Sequence, residues 1–558
     1  MDKRFVLALF LTSLVVIATP LLFPSSRRVS GPLPVSGDSI LREISPIDTV
    51  QETISSAPRT IPEVSTVVPR SSISTPVDTT KISGGNADFR FSNLGARLLS
   101  AELHHFRSYR PGKEIIALRG ATDPLVWYRL LDASGDTIRL DSMAFERSET
   151  PSGITYRTRT AIGIVVIEYS VITDSYMVRV TGHIEAQTEP GTLLVSLPGG
   201  IRSEEADTLD DREHLAFAVK TRRDNARRVQ FKDLDPGESD TTPGPVIWAA
   251  SKNKYFLTAL LAPAGGEAFN AVLITGGTRT AKSAIRADIM VARTLALGQP
   301  FSFEVYAGPQ EWKRLHALGR DFENVNPYGG FMQGLIQPFA TMVMRVLLWM
   351  RETFKISYGW VLVLFGIMVR IITWPLNQSA MKTSLRMQRI QPQLAVVQQK
   401  YKNNQEKQRE EIMQVYREHG MTPFSPLMGC LPMLLPMPVL FALFFVFQNT
   451  IEFRGVPFLW LPDISLHDPL YIIPLVMGIS MYALSWIGMR NAPPNPQAKM
   501  MGYFLPVMMT VLFWRFASGL NLYYTIQNIA ALPQQWLIAR DRGKPPLVTN
   551  MPATPARR

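Results

Sequence analysis

Cysteine occurs once in the 558 residues, at Cys430, which excludes an internal disulfide framework and a cysteine-based zinc site. The seven histidines are scattered, with no HExxH or comparable pairing, so they offer no metal-site pattern. Charge is scarce as well. Asp, Glu, Lys and Arg make up 19% of the chain, below the usual quarter, against 46% apolar residues. That balance argues against a highly charged disordered protein and against an acidic binding tail. Walker A, GxGxxG and GxSxG motifs are missing, which disfavours an ATP-driven pump within this chain.

What is present is unevenly distributed. From Phe331 to Arg558 there are 21 Lys/Arg and 9 Asp/Glu, so this segment carries the whole net charge of +12. It also holds 20 of the 24 methionines and seven of the ten tryptophans. Two different materials therefore join near residue 330.

The first material has three parts. Met1–Phe23 opens with Lys3 and Arg4 and then runs apolar from Phe5, interrupted only by Thr12, Ser13 and Thr19. This run approaches the ~20 residues needed to span a bilayer, and no A-x-A site follows. It reads as an uncleaved transmembrane anchor with its N-terminus in the cytoplasm, the alternative being a removed signal peptide. Residues 24–80 read as a disordered linker, since Pro, Ser and Thr supply 27 of those 57 residues without an apolar period. Residues 81–325 alternate in short apolar runs. Ile162–Ile172 and Tyr176–Ala186 flank a turn at Thr173–Ser175, and further runs are punctuated by Gly, Pro, Asn and Asp. This predicts a large all-β sandwich.

The second material predicts membrane helices at Tyr358–Asn377, Leu427–Phe447, Leu470–Ile487, Met500–Trp514 and Leu520–Ile538. With the anchor this gives six spans. Residues 331–350 are long enough to span, but Gln333, Gln337, Thr341 and Arg345 form a stripe opposite Leu335, Phe339, Met342, Val346 and Met350. That pattern predicts an amphipathic helix lying in the interface. Charge supports the flat placement. Segments 379–426, 488–499 and 539–558 then face the cytoplasm with 8, 2 and 5 Lys/Arg, while the outward segment 449–468 carries one. Within residues 379–426, Leu394, Val397 and Tyr401 after Pro392, and Ile412, Val415, Tyr416 and His419 before Gly420, predict a helical hairpin. It packs on itself or on a partner.

Arg370 lies thirteen residues into the first of these spans. Its insertion costs at least about 2.5–3.5 kcal/mol. No Asp or Glu falls inside the five C-terminal spans, so a carboxylate-coupled relay is disfavoured and Arg370 either snorkels or points into a wet cavity. Asn521, Tyr524, Thr525, Asn528 and Gln535 recur at helical spacing on the last span, which requires protein or water beside them. Met433, Met437 and Phe441 on one span and Met508 and Met509 on another form soft apolar surfaces suited to varied partners or to ordinary packing.

At this point the chain resembles a known family. Gly429-Cys-Leu-Pro-Met-Leu-Leu-Pro-Met-Pro438 is similar to a span-opening motif of YidC/Oxa/Alb-type membrane protein insertases. Phe453-Arg-Gly-Val-Pro-Phe458, Asp463-Ile-Ser465, the run from Asp468 to Gly478, Leu505-Pro-Val-Met508 and Ser518–Tyr524 with Asn528 look like the loop and spans that follow. Met368–Leu376 aligns Arg370 with the family's groove arginine. Pro436, Asn521 and Arg515 depart from the pattern, at the groove and at the outer end of the fifth span. The resemblance implies a polytopic α-helical membrane protein with a five-helix core and a large periplasmic β-sandwich, in a bacterial inner membrane. It implies insertase activity without a cofactor: Arg370, Asn521, Tyr524, Thr525 and Asn528 line a hydrophilic groove open to the cytoplasm. The methionine-rich third and fifth spans guide apolar segments of nascent membrane proteins into the lipid bilayer. The resemblance adds the Sec translocon and ribosomes as partners. Arg540, Arg542 and Lys544 in the basic tail 539–558 suit ribosomal RNA or anionic lipid equally. A solute channel or transporter, or a periplasmic carbohydrate enzyme using Glu168, Asp174 or His183, would be the alternatives.

The topology has a direct test. With Cys430 removed, cysteines introduced at Gln399 and Asn491 are expected to resist a membrane-impermeant thiol reagent in intact spheroplasts, while one at Ser239 reacts. Labelling of Gln399 from outside would reject the arrangement.

Overall fold

The structure, a computed structural model, describes residues 77–542 apart from 113–114, 121–122, 151–152, 278–285, 327–332, 421–436 and 490–495. The expected anchor at 1–23, Met433 and Lys544 lie outside the described residues, as do the side chains of Met437 and Arg542.

Alternating apolar residues build two antiparallel sheets among the described residues, of four and fourteen strands. The smaller sheet starts at Thr79–Ser83, so the β domain begins two residues inside the segment expected to be linker. It continues through Ala87–Ser92, Arg97–Arg107 and Ile115–Leu118. The larger sheet contains the expected hairpin, Gly163–Val171 with Met177–Glu185, in which Glu168 faces Thr181 and His183 faces Val166. Inward residues of both sheets share one core that includes Phe89, Phe91, Leu98, Tyr128, Tyr156 and Tyr169. Tyr169 ties the sheets together: its hydroxyl donates to the carbonyl of Ala96 at 2.6 Å and accepts from Tyr128 at 2.7 Å. Two short helices, α1 (Thr208–Glu213) and α2 (Trp312–Ala317), close its edges.

Seven longer helices follow among the described residues: α3 (Gln333–Phe354), α4 (Tyr358–Lys400), α5 (Gln405–Glu418), α6 (Met437–Asn449), α7 (Ile472–Met489), α8 (Pro496–Leu512) and α9 (Ser518–Arg542). Within α4 and α7, segments Tyr358–Pro375 and Ile472–Met489 are long and apolar enough to cross a membrane. Exposed Trp349 and Trp360 mark one end of the bundle, and exposed Trp486 and Trp536 lie near the C-terminal ends of α7 and α9. The helix α4 is unbroken for 43 residues, so Pro392 does not open a new helix after the span. Beyond it, Asn404 caps α5 by accepting the Lys407 amide at 3.1 Å, and Ile390 and Leu394 pack on Ile412, Val415 and Tyr416. The hairpin therefore packs on itself. In α3 the buried stripe is Ala340, Val343, Met344 and Leu347, against α6. Met342, on the apolar stripe of the sequence, is exposed.

The loop between α6 and α7 joins the two halves. Asp468 accepts amides from Leu470 and Ile473 and the Trp460 indole, which starts α7, and Asp463 accepts amides from Gly455 and Ser465. Arg454 leaves this loop for the β domain. Its Nε donates to both carboxylate oxygens of Glu205 at 2.9 and 3.1 Å, its Nη2 donates to the Arg107 carbonyl, and its guanidinium lies 4.2 Å from the centre of the Tyr109 ring. Both side chains are at least nine-tenths buried. Burial pushes the Glu205 carboxyl up to about 7, with Arg454 pulling the other way. Glu452, accepting the Trp312 amide, is likewise raised to about 7 by burial. At the far edge of α4, a Cβ on Gly359 would come 2.1 Å from Phe458, so only glycine lets α4 seat on the loop.

Removal of Arg454 strands a buried carboxylate. Arg454→Ala is expected to cost about 3–5 kcal/mol at pH 8. Because the folded-state pKa of Glu205 is raised, ionisation opposes folding as pH climbs through about 7. The loss should therefore shrink at pH 5, and Glu205→Gln in the Arg454→Ala background should restore most of the stability at pH 8. Melting in detergent at the two pH values checks both effects. A pH-independent loss contradicts the assignment.

Candidate functional site

The site is built where α9 packs on α4 and α7. On α4, Gly366, Arg370, Trp374 and Gln378 follow one another at intervals of four and form one stripe. On α9, Gln527 and Gln534 are seven apart and therefore share a face. These stripes meet. Gln527 Nε2 donates to the Gly366 carbonyl at 2.7 Å. Arg370 Nη2 donates to Gln534 Oε1 at 2.6 Å. The Gln534 amide in turn donates to the Trp374 carbonyl and to Gln378 Oε1, both at 3.2 Å. Gln534 is fully buried and Arg370 half-buried.

The partner of Arg370 is thus a neutral amide. Arg370 Nε is buried without a hydrogen-bond partner, and no carboxylate forms an ion pair with Arg370 among the described residues. One turn further on, Thr373 donates to the Val369 carbonyl, and the buried Asn377 donates to the Thr373 hydroxyl. As far as Gln378, this part of α4 is polar where it meets α9.

The residues expected to line a groove with Arg370 contact other groups. Asn521 is fully buried and donates to the Phe513 carbonyl at 3.0 Å. Thr525 donates to the Asn521 carbonyl, and Asn528 donates to Ser480 of α7 at 3.2 Å. Tyr524 stacks on Phe513. None of these four is a hydrogen-bond partner of Arg370 among the described residues. Gln535 lies against Gly488 of α7, where a Cβ would meet its amide at 2.6 Å. The sequence stripe therefore faces α7 and the α8 end, while Arg370 is met by Gln534 from the adjacent stripe. The heptad spacing of Gln527 and Gln534 was the signal that sequence reasoning passed over.

The apolar surface is divided too. Phe441 of α6 is exposed, Met508 is half-buried, and Met509 packs against the helical core. Exposed Phe504, Val507 and Val511 on α8 and Leu475, Ile479 and Trp486 on α7 extend that surface. Arg540 projects at the end of α9, 5.8 Å from the Trp536 ring. In the β domain, Asp174 occupies a hairpin turn with φ 54°, Glu168 accepts from Thr181, and His183 pairs with Glu185. These three form no catalytic set.

The helical and β regions each match a family model: residues 349–544 that of the 60Kd inner membrane protein, and residues 79–342 that of the YidC periplasmic domain. The chain is similar to the membrane protein insertase YidC of Anaeromyxobacter sp. strain Fw109-5, with 32% identity over 58% of this chain and 55% of that one. It is 30% identical to the protein of that name from Chloroherpeton thalassium, over 64% of each. The match to that from Prosthecochloris aestuarii reaches 100% of this chain and 98% of the other at 25% identity. The first two alignments therefore span 55–64% of the relatives' length.

Gln534→Met removes the amide that receives the Arg370 guanidinium. Hydrogen bonds to charged groups contribute about 1.5–3 kcal/mol, so a loss of that size is expected in detergent melts. Arg370→Met in the same background should recover part of it. A double variant weaker than the Gln534→Met variant alone would contradict the pairing.

Proposed function

The chain belongs to the YidC family, and from that premise we propose that it is an insertase of the bacterial inner membrane rather than an enzyme, acting on nascent membrane proteins. The observation that carries the proposal is Arg370: a cation set within a membrane-length helix, held by a neutral glutamine and left without an acidic partner among the described residues. Such a group attracts anions. At 4 Å and an effective dielectric near 20, attraction to a carboxylate is roughly 4 kcal/mol before desolvation. A short acidic tail crossing hydrocarbon must satisfy its backbone polar groups, and the polar stripe Gly366–Gln378 with Gln527 and Gln534 offers partners along the way. The tail's apolar neighbour would leave along the exposed faces of α6 and α8 into lipid.

In this reading α3 lies in the outer interface, six spans include the N-terminal anchor, and both termini are cytoplasmic. The five spans from Tyr358 onward enclose the groove. The hairpin α4–α5 and the tail with Arg540, Arg542 and Lys544 face ribosomes, and the Sec translocon is a partner for larger substrates. Asn521, Thr525 and Asn528 then act by fixing α9 on its neighbours, which keeps Gln534 in place.

The test varies charge on both sides. Insertion of one model substrate carrying zero, one or two tail Asp residues is measured with wild type, Arg370→Lys, Arg370→Ala and Arg370→Glu at matched membrane levels. Arg370→Lys should retain most activity, although it loses the bidentate fork. Arg370→Ala should fail progressively with tail charge and spare the neutral tail, and Arg370→Glu should be worst for the acidic tails. Equal losses across the series with Arg370→Ala would reject the electrostatic role.

A further inference from the structure

A second basic site lies in the β domain. A pocket of about 360 Å³ is lined by Arg97, Arg119 and Arg202 together with Gly120, Asp123 and Pro124. Backbone pairing joins two of its segments. The Arg202 amide donates to the Arg119 carbonyl at 3.0 Å, and Gly120 pairs with Ile201. Three guanidiniums face one carboxylate, and Asp123 already accepts Arg286 Nη2. Arg97 spends one Nη on the backbone carbonyl of Asp141. The Nε atoms of Arg97 and Arg119 are buried without a hydrogen-bond partner among the described residues. Like charges so close are unfavourable: burial and then the fields of Arg119 and Arg110 lower the pKa of Arg202, with Glu204 opposing them. A cluster of fork-shaped donors around an open pocket, two of them with an unpartnered Nε, matches the oxygens of a phosphate.

The position of the pocket narrows the source. Arg202 is three residues before Glu205, which holds Arg454 of the loop between α6 and α7. Three extended residues span about 10 Å. The pocket therefore opens near the segment that the proposed topology sets at the outer membrane surface. We propose that Arg97, Arg119 and Arg202 bind a phosphate group, supplied by the headgroup of an anionic phospholipid in the outer leaflet. The anion site stands on the arginine cluster alone, and the lipid source rests on the topology proposed above.

Calorimetric titration of the full chain in maltoside micelles separates the two. The probes are inorganic phosphate, dihexanoyl phosphatidylglycerol and dihexanoyl phosphatidylcholine. Phosphate and phosphatidylglycerol are expected to compete for one saturable site, with phosphatidylcholine weaker. The variant R119Q/R202Q should weaken both anions at least tenfold while keeping the wild-type circular dichroism and melting temperature. Should that variant unfold, Asp123→Asn tests the same point from the other side, because loss of the opposing carboxylate should tighten both anions. Phosphate binding without competition from phosphatidylglycerol would keep the anion site and reject the lipid. Affinities unchanged in R119Q/R202Q and in Asp123→Asn, or no saturable binding of either anion, would overturn the proposal. Loss of insertase activity in the Arg370 series leaves every one of these outcomes unaffected.

Discussion

Arg454 makes one molecule of two. A buried guanidinium is tolerable only with a buried carboxylate and further acceptors around it, and Glu205, the Arg107 carbonyl and the Tyr109 ring supply them. Everything on either side depends on that clasp. Toward the β domain, Glu205 follows the strand-edge segment whose Glu204 carbonyl accepts the Tyr109 amide. Toward the bundle, Arg454 sits in a loop stiffened by Asp463 and Asp468, and that loop seats α4 through Phe458 and starts α7 through Ile473. The site beside α9 inherits its alignment from these contacts. Tyr255, whose hydroxyl reaches Ser465 at 3.3 Å, and Asn326, which reaches the Asn449 carbonyl, add neutral contacts nearby.

The bundle settles polar groups pair by pair. On α9, polar side chains meet specific counterparts: Gln527 the Gly366 carbonyl, Asn528 the Ser480 hydroxyl, and Asn521 the Phe513 carbonyl just after α8. An amide is both donor and acceptor, so Gln534 can accept from Arg370 and still donate to Trp374 and Gln378. A carboxylate there would neutralise the arginine. A glutamine orients it and leaves its charge unneutralised.

Much of this was legible in the sequence, and the remainder failed for identifiable reasons. Period-two alternation marked the hairpin at 163–185 because one sheet face is buried and the other is not. Arg370 stood out because a cation in an apolar run is costly. Gln534 did not, because α9 packs on more than one helix and carries two polar stripes about 100° apart; spacing alone cannot tell which stripe meets which neighbour. Pro392 suggested a helix start, yet a proline within a long, otherwise continuous helix removes only a single backbone bond when its flanks hold. Arg454 and Glu205, 249 residues apart, had no sequence signal that could pair them.

The continuity of α4 makes it a lever. At 1.5 Å per residue its 43 residues extend about 64 Å, roughly twice the hydrocarbon thickness of a bilayer. Its N-terminal end is pinned where Gly359 meets Phe458, Arg370 lies about 16 Å along it, and the hairpin tip about 60 Å along. A sideways pull of about 8 Å on the tip would swing Arg370 by about 2 Å about that pivot, enough to break or remake a hydrogen bond. Whatever grips the tip of the α4–α5 hairpin therefore holds a handle on the Arg370 charge, geared down about fourfold.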